Sequence, residues 1–367
     1  MRVLFLYLTG FSITGGIEKF NRSFLKALHE LSVDGFIDAE ACSSHDVIAD
    51  EKYFPRKRFK GFAGNRIRFV FSSIIKSFKF DTVIIGHINL AIIGCLIKRI
   101  RPSVKLILIV HGIEVWKTHV RHKKELLELA DIILSVSQFT KEKIIAFNPT
   151  VHADRIKIFP NTIDPYFLAP TSFNKPDYLF KRYNLNSDAQ ILLTVTRLSF
   201  TEKYKGYDNT IALMNEITES NNNVRYVLCG KADSFEKERI VSLIKANGVS
   251  NKVELTGFIK DEELIDHYLL ADVFVMPSKK EGFGIVFIEA LACGRKVIAG
   301  SKDGSVDALM NGELGTLIDP DNIDELKQAI FTSLENKEHN PYAMQQKVYA
   351  AFGFHRYKER LRNYLNG

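Results

Sequence analysis

The sequence DVFVMPSKKEGFGIVFIEALACG, residues 272–294, contains an apolar strand, a glycine-rich turn and an apolar helix in direct succession. Residues 272–276 have the length and composition of a buried strand, and the residues after Gly284 have those of a helix. Glycines at 282 and 284 let backbone N–H groups approach a ligand, and a helix N-terminus adds about half a positive charge. The stretch therefore predicts one strand–loop–helix unit of an α/β fold, with an anionic or hydroxyl-rich ligand at the loop.

The same alternation of apolar strand and helical segment recurs on both sides of this stretch. Strands that are apolar on both faces and separated by helices indicate parallel sheets covered on both sides. The predicted strands are Val3 to Leu8, Thr82 to Ile85, Val104 to Val110, Ile132 to Val136, Ile156 to Phe159, Ile191 to Thr196, Val224 to Cys229, Val253 to Leu255, Val273 to Met276, Lys296 to Ala299 and Thr316 to Ile318.

The chain of 367 residues is long enough for two domains. Residues 160–176 carry four prolines and no helical or strand period, which is typical of a linker. We predict an N-terminal Rossmann-like domain over 1–165 and a second over 170–350, with a helix at about 353–367 packing back on the first. Ligands of such sheets bind beyond the carboxyl ends of the strands, so we expect two doubly wound domains that face each other across a cleft.

Composition and charge limit the class of protein. With 46% hydrophobic and 25% charged residues, the chain has the composition of a globular protein, and the net charge of +7 favours anionic partners. The four cysteines lie far apart, which favours neither zinc nor disulfides and indicates a reducing cytoplasm. The N-terminal apolar run predicts a strand, and the longest apolar region, residues 83–97, is shorter than the roughly 20 residues that cross a bilayer. Nucleic acid is not expected as a partner, because no binding module is recognisable.

Two glutamates flank the glycine-rich turn. Glu281 precedes the predicted helix and Glu289 lies inside it, so they are separated by roughly 10 Å or more at about 1.5 Å rise per residue. That span suits two ends of an extended ligand better than a glycosidase pair, which needs about 5 to 10 Å. Each glutamate also has a structural interpretation, Glu281 as a partner of the helix dipole and Glu289 as a solvated helix residue. Because apolar neighbours surround Glu289, we expect a bound pair of hydroxyls to satisfy its carboxylate.

The sequence Glu-Gly-Phe-Gly at 281–284, a second glutamate eight positions after the first, and Ala-Leu-Ala-Cys-Gly at 290–294 resemble the signature of the retaining GT-B glycosyltransferases of family 4. This resemblance implies that Glu281 contacts hydroxyls of the transferred sugar and that Glu289 holds the ribose hydroxyls. It also implies that the loop amides bind sugar and phosphate, and these belong to Gly282, Phe283, Gly284, Ile285 and Val286.

A second cluster of candidate residues follows the predicted strand that ends at Thr196. A departing diphosphate needs fixed cations, and Arg197 and Lys205 resemble the diphosphate-binding pair of the family. Lys203 is an alternative to Lys205 in this role. A purely structural interpretation is that the two cations are solvated surface residues. Contacts to the nucleotide base are expected around Gly230 and Phe258.

The N-terminal half supplies three further candidates. Gly15 and Gly16 follow the first strand, and the resemblance implies that their loop faces the diphosphate and acceptor, although a Gly-Gly pair is commonly just a tight turn. Glu18 is an alternative cap for the helix that follows. His111 ends a predicted strand and resembles the family's His-Gly pair at the donor sugar, whereas a lone histidine is usually a packed or surface residue.

Two sequences near the C-terminus qualify this interpretation. Residues 303–307, Asp-Gly-Ser-Val-Asp, depart from the commoner Gly-Ile-Pro-Glu version of the loop, which leaves a donor contact there open. Asp319-Pro320-Asp321 imitates an Asp-x-Asp metal site, but its place between a strand and a helix favours a capped turn. We predict neither a metal nor a cofactor.

Residues 56–79 contain eight Lys or Arg residues, five phenylalanines and no acid. One interpretation is a site for a membrane surface or an anionic acceptor. The other is an amphipathic helix whose phenylalanines enter the core and whose cations face water. The sequence does not separate the two.

Together these patterns predict a retaining, metal-independent hexosyltransferase that moves a sugar from a nucleoside diphosphate to a hydroxyl of a glycan or lipid-linked acceptor. UDP-glucose or a related UDP-hexose is the favoured donor and GDP-mannose the second. Surface polysaccharide synthesis in the cytoplasm is expected, with peripheral attachment to the inner face of the plasma membrane if residues 56–79 bind lipid. A GT-B epimerase acting on a UDP-sugar and a non-catalytic sugar-nucleotide binder are the alternatives.

Overall fold

The structure is a computed structural model that describes residues 1–366, so Gly367, the end of the predicted C-terminal helix, lies outside the described residues. The chain forms two compact units. The first unit contains Met1–Tyr166 and the segment that begins at Phe352, and the second contains Phe167–Ala351. Each unit is built on one parallel sheet.

The strands of the two sheets follow the same order. In the first sheet the order is β3-β2-β1-β4-β5-β6-β7 and in the second it is β10-β9-β8-β11-β12-β13, with every pair parallel. In each sheet the strand order reverses beside the first strand, between β1 and β4 and between β8 and β11, as in Rossmann-like sheets. The predicted α/β class with two Rossmann-like domains is confirmed. The strands are β1 Arg2–Tyr7, β2 Asp38–Ser43, β3 Phe59–Gly61, β4 Thr82–Ile85, β5 Lys105–Val110, β6 Ile132–Ser135, β7 Ile156–Ile158, β8 Gln190–Val195, β9 Val224–Cys229, β10 Val253–Gly257, β11 Val273–Met276, β12 Lys296–Gly300 and β13 Thr316–Ile318.

α-Helices connect most of the successive parallel strands, as is usual for crossover connections, and a short 3-10 turn lies between β2 and β3. The last helix lies against the first: Tyr357 packs its ring 6.2 Å from that of Phe20, and Lys358 pairs with Glu30 at 3.1 Å. The helices are α1 Gly16–Val33, α2 Arg66–Ser77, α3 Ala91–Ile100, α4 Arg121–Leu129, α5 Gln138–Phe147, α6 Asp177–Arg182, α7 Tyr207–Ser220, α8 Ser234–Ala246, α9 Asp261–Leu270, α10 Ile285–Ala292, α11 Ser305–Ala308, α12 Ile323–Glu335, α13 Pro341–Phe352 and α14 Phe354–Asn366.

Two strands of the first sheet, β2 and β3, were not among the predicted strands. β2 alternates buried residues with two partly buried acids, and its acids meet cations: Asp38 pairs with Arg58, and Glu40 pairs with Lys76. An apolar run is therefore absent, because ion pairs cover part of this strand. β3 is an edge strand of only three residues. The other strands agree with the predicted ranges to within one or two residues.

Candidate functional site

In the second unit the strand order reverses between β8 and β11, and the loops that leave these two strands carry most of the candidate residues. Ligands of open α/β sheets bind where neighbouring loops diverge at such a reversal. Arg197 follows β8, and the glycine-rich turn at 282–284 follows β11. The reversal is therefore the place in this unit where a ligand would be held.

Lys205 and Glu281 form an ion pair at this position, and their side chains are only 16% and 13% exposed. The segment that carries Lys205 is fixed against the loop after β11, since the Lys279 N–H donates to the Tyr204 carbonyl at 2.9 Å. Gly206 follows at φ +80, and a Cβ there would lie 2.4 Å from the Pro277 carbonyl oxygen. The close approach of these two backbones requires glycine, and it is what brings the predicted cation to the predicted glutamate.

Asp303, which follows β12, holds the backbone of Glu281 in place. The Glu281 N–H donates to Asp303 Oδ2 at 2.7 Å, and the Ser278 hydroxyl donates to the same oxygen at 2.7 Å. The Gly304 N–H donates back to the Glu281 carbonyl at 2.7 Å, and a Cβ on Gly304 would lie 2.1 Å from the Gly282 carbonyl oxygen. The loop that departs from the family version therefore binds the turn itself. Sequence reasoning missed this role.

Burial raises the pKa of Asp303 to about 6, and the nearby Glu281 charge adds to the shift, although three hydrogen bonds to the carboxylate act against it. The side chain is fully buried. Because a buried anion is stabilised mainly by its hydrogen bonds, loss of its charge would loosen the contact that positions Glu281.

The glycine-rich turn ends at the start of α10. Gly284 adopts φ +86 at the helix N-cap, where a Cβ would lie 2.4 Å from the Phe287 ring. Phe283 is 1% exposed, so its side chain packs inward while the turn runs along the surface. Ile285 and Val286 open the helix, and N–H groups of a first helical turn have no partner within the helix.

Glu289 is 1% exposed inside α10, and it accepts a hydrogen bond of 2.8 Å from the Tyr268 hydroxyl. Burial raises the pKa of Tyr268, and the Glu289 charge raises it further. The interpretation of Glu289 as a solvated helix residue is therefore wrong. The carboxylate already has a partner within the protein, which sequence reasoning missed because α9 supplies it.

Arg197 has a different environment from Lys205. Its side chain is 71% exposed and forms an ion pair with Glu202, five residues further on. Tyr204 is a partly buried neighbour of these side chains. Loss of hydration raises its pKa, and Lys205, Glu281 and Arg197 all act electrostatically on it. The candidate cations thus lie around one tyrosine, each with an acidic partner.

Gly230 directly follows β9 and lies beside the residue that follows β8 and the last residue of β10. It adopts φ +156, and a Cβ there would lie 1.7 Å from the Thr196 carbonyl oxygen. The Gly230 N–H donates to the Gly257 carbonyl at 2.9 Å, and Phe258, the next residue, is 60% exposed. A side chain at 230 would separate β8 from β9, so the position requires glycine. The exposed ring of Phe258 is available to a planar base.

In the first unit, Gly15 and Gly16 lie at the start of α1. Gly15 is the N-cap at φ −178, an extended conformation open to any residue, but a Cβ there would lie 2.4 Å from a carboxylate oxygen of Glu18. Gly16 has open space at its Cβ position. Neither glycine is required by its backbone angles. At Gly15 the missing side chain leaves room for the Glu18 carboxylate, whereas Gly16 borders open space.

Asp46 holds the loop that precedes these glycines. Its fully buried carboxylate accepts hydrogen bonds from three backbone N–H groups and three hydroxyls, at 2.7 to 3.0 Å. The donors are the N–H groups of Gly10, Phe11 and Ser12 and the hydroxyls of Thr9, Ser12 and Ser43. Burial acts to raise the pKa of Asp46, but these hydrogen bonds outweigh it and the net shift is downward. Nothing in the spacing of the sequence identified this residue.

His111 follows β5 and forms a pair with His87, which follows β4. The rings stack with centroids 5.9 Å apart, and His111 Nε2 lies 2.8 Å from the Gly86 carbonyl oxygen, to which the protonated nitrogen donates. Burial lowers the pKa of both imidazoles, that of His87 to about 4. Both rings are therefore neutral near pH 7, and His111 is suited to hydrogen bonding without carrying a charge.

The Asp-Pro-Asp sequence forms a turn between β13 and α12. The Asp321 N–H donates to Asp319 Oδ1 at 2.9 Å, and Lys302 pairs with both carboxylates, at 2.6 and 2.8 Å. Asn322 is the N-cap of α12, and its side chain accepts from the Glu325 N–H at 3.2 Å. These carboxylates are thus engaged by lysine in a capped turn.

Within residues 1–366, no helix combines the length and the apolar character needed to cross a membrane.

The two parallel sheets and the strand–turn–helix that carries two glutamates are those of a GT-B glycosyltransferase. Residues 177–349 match the family model Glycosyl transferases group 1, and residues 14–167 match the model Glycosyltransferase Family 4. The chain belongs to this family of glycosyltransferases, as the resemblance of the turn implied.

The chain is similar to proteins from several bacteria. The GDP-mannose-dependent alpha-(1-6)-phosphatidylinositol monomannoside mannosyltransferase of Mycolicibacterium smegmatis is 29% identical over 257 residues, which cover 66% of this chain and 63% of that protein. The chain thus spans less than two thirds of this relative. A GDP-mannose-dependent monoacylated alpha-(1-6)-phosphatidylinositol monomannoside mannosyltransferase of Corynebacterium glutamicum is 23% identical over 342 residues, 88% of this chain and 86% of that protein. The crystal structure of Anabaena HepE in complex with UDP-glucose has a TM-score of 0.78 at 18% identity, covering 100% and 99% of the two chains.

Proposed function

We propose that this protein is a retaining hexosyltransferase that moves a sugar from a nucleoside diphosphate to a hydroxyl of a glycan or lipid-linked acceptor. The observation that carries the proposal is the largely buried Lys205–Glu281 ion pair at the strand reversal, where Asp303 accepts a hydrogen bond from the Glu281 N–H. A cation and a carboxylate in one protected position suit a ligand that presents both phosphate and hydroxyl groups.

In this proposal the second unit binds the donor. Glu281 accepts hydrogen bonds from hydroxyls of the sugar, and Glu289 accepts them from the ribose. Arg197 and Lys205 bind the diphosphate, while Gly230 and Phe258 border the base. The sugar and phosphate also meet the amides of the turn, which are those of Gly282, Phe283, Gly284, Ile285 and Val286.

The first unit binds the acceptor. Gly15 and Gly16 leave room for the diphosphate and the acceptor beside α1. Neutral His111 offers a ring nitrogen or its carbonyl to the donor sugar, because the lowered pKa of its imidazole keeps a charge off the ring. The proposal thus assigns acceptor binding to the domain over 1–165 and donor binding to the domain over 170–350.

The reaction is a front-face substitution. The bond between the anomeric carbon and the phosphate oxygen breaks, and the acceptor oxygen bonds to the same face of that carbon. The acceptor proton passes to the departing phosphate oxygen. Arg197, Lys205 and the N-terminus of α10 stabilise the negative charge that develops on the diphosphate. These groups supply the positive charge, so the proposal assigns no metal and no cofactor.

The donor is proposed to be a UDP-hexose, UDP-glucose first, with GDP-mannose second. Relatives in Mycolicibacterium and Corynebacterium carry GDP-mannose in their names, and the HepE crystals contain UDP-glucose. Both are hexose donors with a diphosphate, which is the part of the ligand that the cations of this site address. The two candidate donors differ in their base, uracil or guanine. The proposed acceptor is a polysaccharide or a lipid-linked glycan.

A screen of nucleotide sugars by thermal shift, followed by hydrolysis and transfer assays, tests the function. We expect UDP-glucose or GDP-mannose to raise the melting temperature and to release nucleoside diphosphate slowly without an acceptor. The anomeric configuration of the product, read by NMR, is expected to equal that of the donor. Failure of every nucleotide sugar to stabilise the protein would contradict the proposal.

The same screen separates the alternatives. An epimerase would convert a UDP-sugar to its epimer without any acceptor, and a non-catalytic binder would be stabilised by a donor that it never consumes. A covalent sugar trapped on Glu281 would replace front-face substitution by a double displacement.

A further inference from the structure

A stripe of four large apolar side chains is exposed on α2 and on the residue that follows it. Ile67, Phe71, Ile75 and Phe78 are 72%, 65%, 69% and 56% exposed. Their spacing of four, four and three residues places them on one face of the helix, within about 80° of arc. Scattered exposed hydrophobics are ordinary, but a continuous stripe of this kind marks an interaction surface.

The opposite face of α2 anchors the helix to the first unit. Phe69 is 2% exposed, packs its ring 5.4 Å from that of Phe62, and both lie in the core of the first sheet. Asn65 caps the helix by accepting from the Arg68 N–H at 3.1 Å. The two interpretations of residues 56–79 thus apply to different side chains: some phenylalanines enter the core, whereas Phe71 and Phe78 do not.

Cations border the stripe. Arg66, Arg68 and Lys79 are exposed, and none of the three forms an ion pair within residues 1–366. Other cations of the region are engaged, Arg58 with Asp38 and Lys76 with Glu40. The border of the stripe therefore carries positive charge without a counter-charge of its own.

We infer that the α2 surface, defined as the stripe with Arg66, Arg68 and Lys79, docks on an anionic lipid bilayer. The apolar side chains enter the boundary between headgroups and acyl chains, and the three cations meet lipid phosphates. At 12 residues the helix is about 18 Å long, too short to cross a bilayer, so it lies in the plane of the surface. The inference is independent of the donor, because the α2 surface and the proposed donor residues belong to different units.

Charge favours lipid over a protein partner. The stripe is apolar, has cations at its edge, and has no acid from Arg56 to Lys79. It therefore complements a bilayer, which has an apolar interior and anionic headgroups at its surface. Interfaces between soluble proteins are depleted of uncompensated charge at their core and need acids to meet these cations.

Co-sedimentation of the full chain with vesicles tests the inference. We expect strong binding to phosphatidylcholine mixed with phosphatidylglycerol at about three to one, and weak binding to phosphatidylcholine alone. The triple variant Arg66→Gln, Arg68→Gln, Lys79→Gln is expected to bind roughly a hundredfold more weakly, at about fivefold per cation. The variant Ile67→Ser, Phe71→Ser, Ile75→Ser should lose at least about tenfold even at high salt, since it removes inserted surface.

A matched control lies on α8 of the second unit, where Phe235, Lys237 and Lys245 are exposed. The variant Phe235→Ser, Lys237→Gln, Lys245→Gln should bind vesicles like the wild type. Thermal unfolding verifies that each variant folds, and the charge variant keeps the test decisive if the serine variant does not. Equal binding to neutral and anionic vesicles would overturn the inference. Self-association in solution that the serine variant abolishes, without vesicle binding by the wild type, would overturn it in favour of a second copy of the chain.

Discussion

A fully buried aspartate accepts hydrogen bonds from each of two loops, Asp46 from the loop after β1 and Asp303 from the loop after β11. The pKa of Asp46 is lowered, whereas that of Asp303 is raised. Asp46 collects six donors, and hydrogen bonding lowers its pKa in spite of burial. Asp303 is buried beside Glu281, and burial raises its pKa to about 6 although three donors meet it. The two groups differ in the number of donors and in the presence of a second carboxylate.

The two aspartates hold loops of different character. Asp46 holds a loop of uncharged residues, so it stays ionised and acts as a permanent brace. Asp303 holds the backbone of Glu281, whose side chain pairs with Lys205, and its ionisation is therefore coupled to the charges proposed to meet the donor. The brace in the first unit is structural, and the one in the second is sensitive to the chemistry beside it.

The largest effect expected from this comparison is on activity in the second unit. Glu281→Gln keeps the shape of the side chain and removes the charge that pairs with Lys205. We expect kcat/KM for transfer to fall by roughly 10²- to 10³-fold, as loss of one preorganised polar group does in other enzymes. Thermal unfolding checks that the variant still folds, because Lys205 loses its anionic partner in a largely buried ion pair. The control Glu262→Gln, an exposed glutamate of α9, should transfer like the wild type.

The next effect is on stability in the first unit. Asp46→Asn replaces an acceptor of six hydrogen bonds by an amide with one oxygen and a misplaced NH₂ group. The free energy of unfolding, measured with urea, should fall by about 2 to 3 kcal/mol near pH 7. Because the pKa of Asp46 is lowered by folding, this contribution exists above the usual range of an aspartate and is lost as the pH falls below about 4. An unchanged stability would break the interpretation of Asp46 as a brace.

A smaller effect, about tenfold in kcat, is expected from Asp303→Asn, since Glu281 loses the anion that holds its N–H. The informative readout is the pH profile. Wild-type kcat should fall as the pH drops below about 6, where Asp303 takes up a proton, and the variant should lack this step. A step that persists in the variant would assign it to another group.

Stability should respond to Asp303 in the opposite sense. Its folded pKa lies above the ordinary value, so its contribution to stability is fully present below about pH 4 and is lost as the pH rises through about 6. Urea unfolding of the wild type and Asp303→Asn across this range measures the contribution. Activity that rises where this contribution falls would be the signature of a carboxylate kept for its role beside Glu281.

The smallest effect concerns Arg197, whose exposed side chain pairs with Glu202. If Arg197 must leave this partner to bind the diphosphate, Glu202→Gln should tighten donor binding by about two- to threefold, the scale of an exposed ion pair. Arg197→Gln should weaken binding, and both effects should shrink at high salt. A weaker affinity in Glu202→Gln would mean that the pair positions Arg197 for the donor.

The sequence predicted most of the fold because buried parallel strands read as apolar runs between helices. It failed at β2, where Asp38 and Glu40 are covered by ion pairs with residues distant along the chain. In the site, the glycine-rich turn was recognisable because its spacing is local. Asp46, Asp303 and Tyr268 were not, since each acts through partners that the sheet brings together from 21 to 37 positions away.

Gly230 and Gly304 show the same limit. Each was visible as a glycine, but the reason for it is a carbonyl oxygen on a neighbouring strand end or loop. An aspartate three residues after β12 is the local signal that would have pointed to Asp303, because carboxyl ends of adjacent parallel strands meet at one edge of the sheet.

Calorimetric titration of UDP-glucose and GDP-mannose tests most directly whether a nucleotide sugar binds along the glycine-rich turn with its ribose at Glu289. Wild type, Glu289→Gln and the matched control Tyr268→Phe are compared, because Gln keeps an acceptor for Tyr268 and the control removes only that hydroxyl. We predict that one donor binds the wild type, that Glu289→Gln binds it at least about tenfold more weakly, at about 1.5 to 3 kcal/mol per charged hydrogen bond, and that the control stays within about threefold. Unchanged binding of the same donor by Glu289→Gln would contradict the placement of the ribose at Glu289 and with it the proposed binding of the donor along the turn.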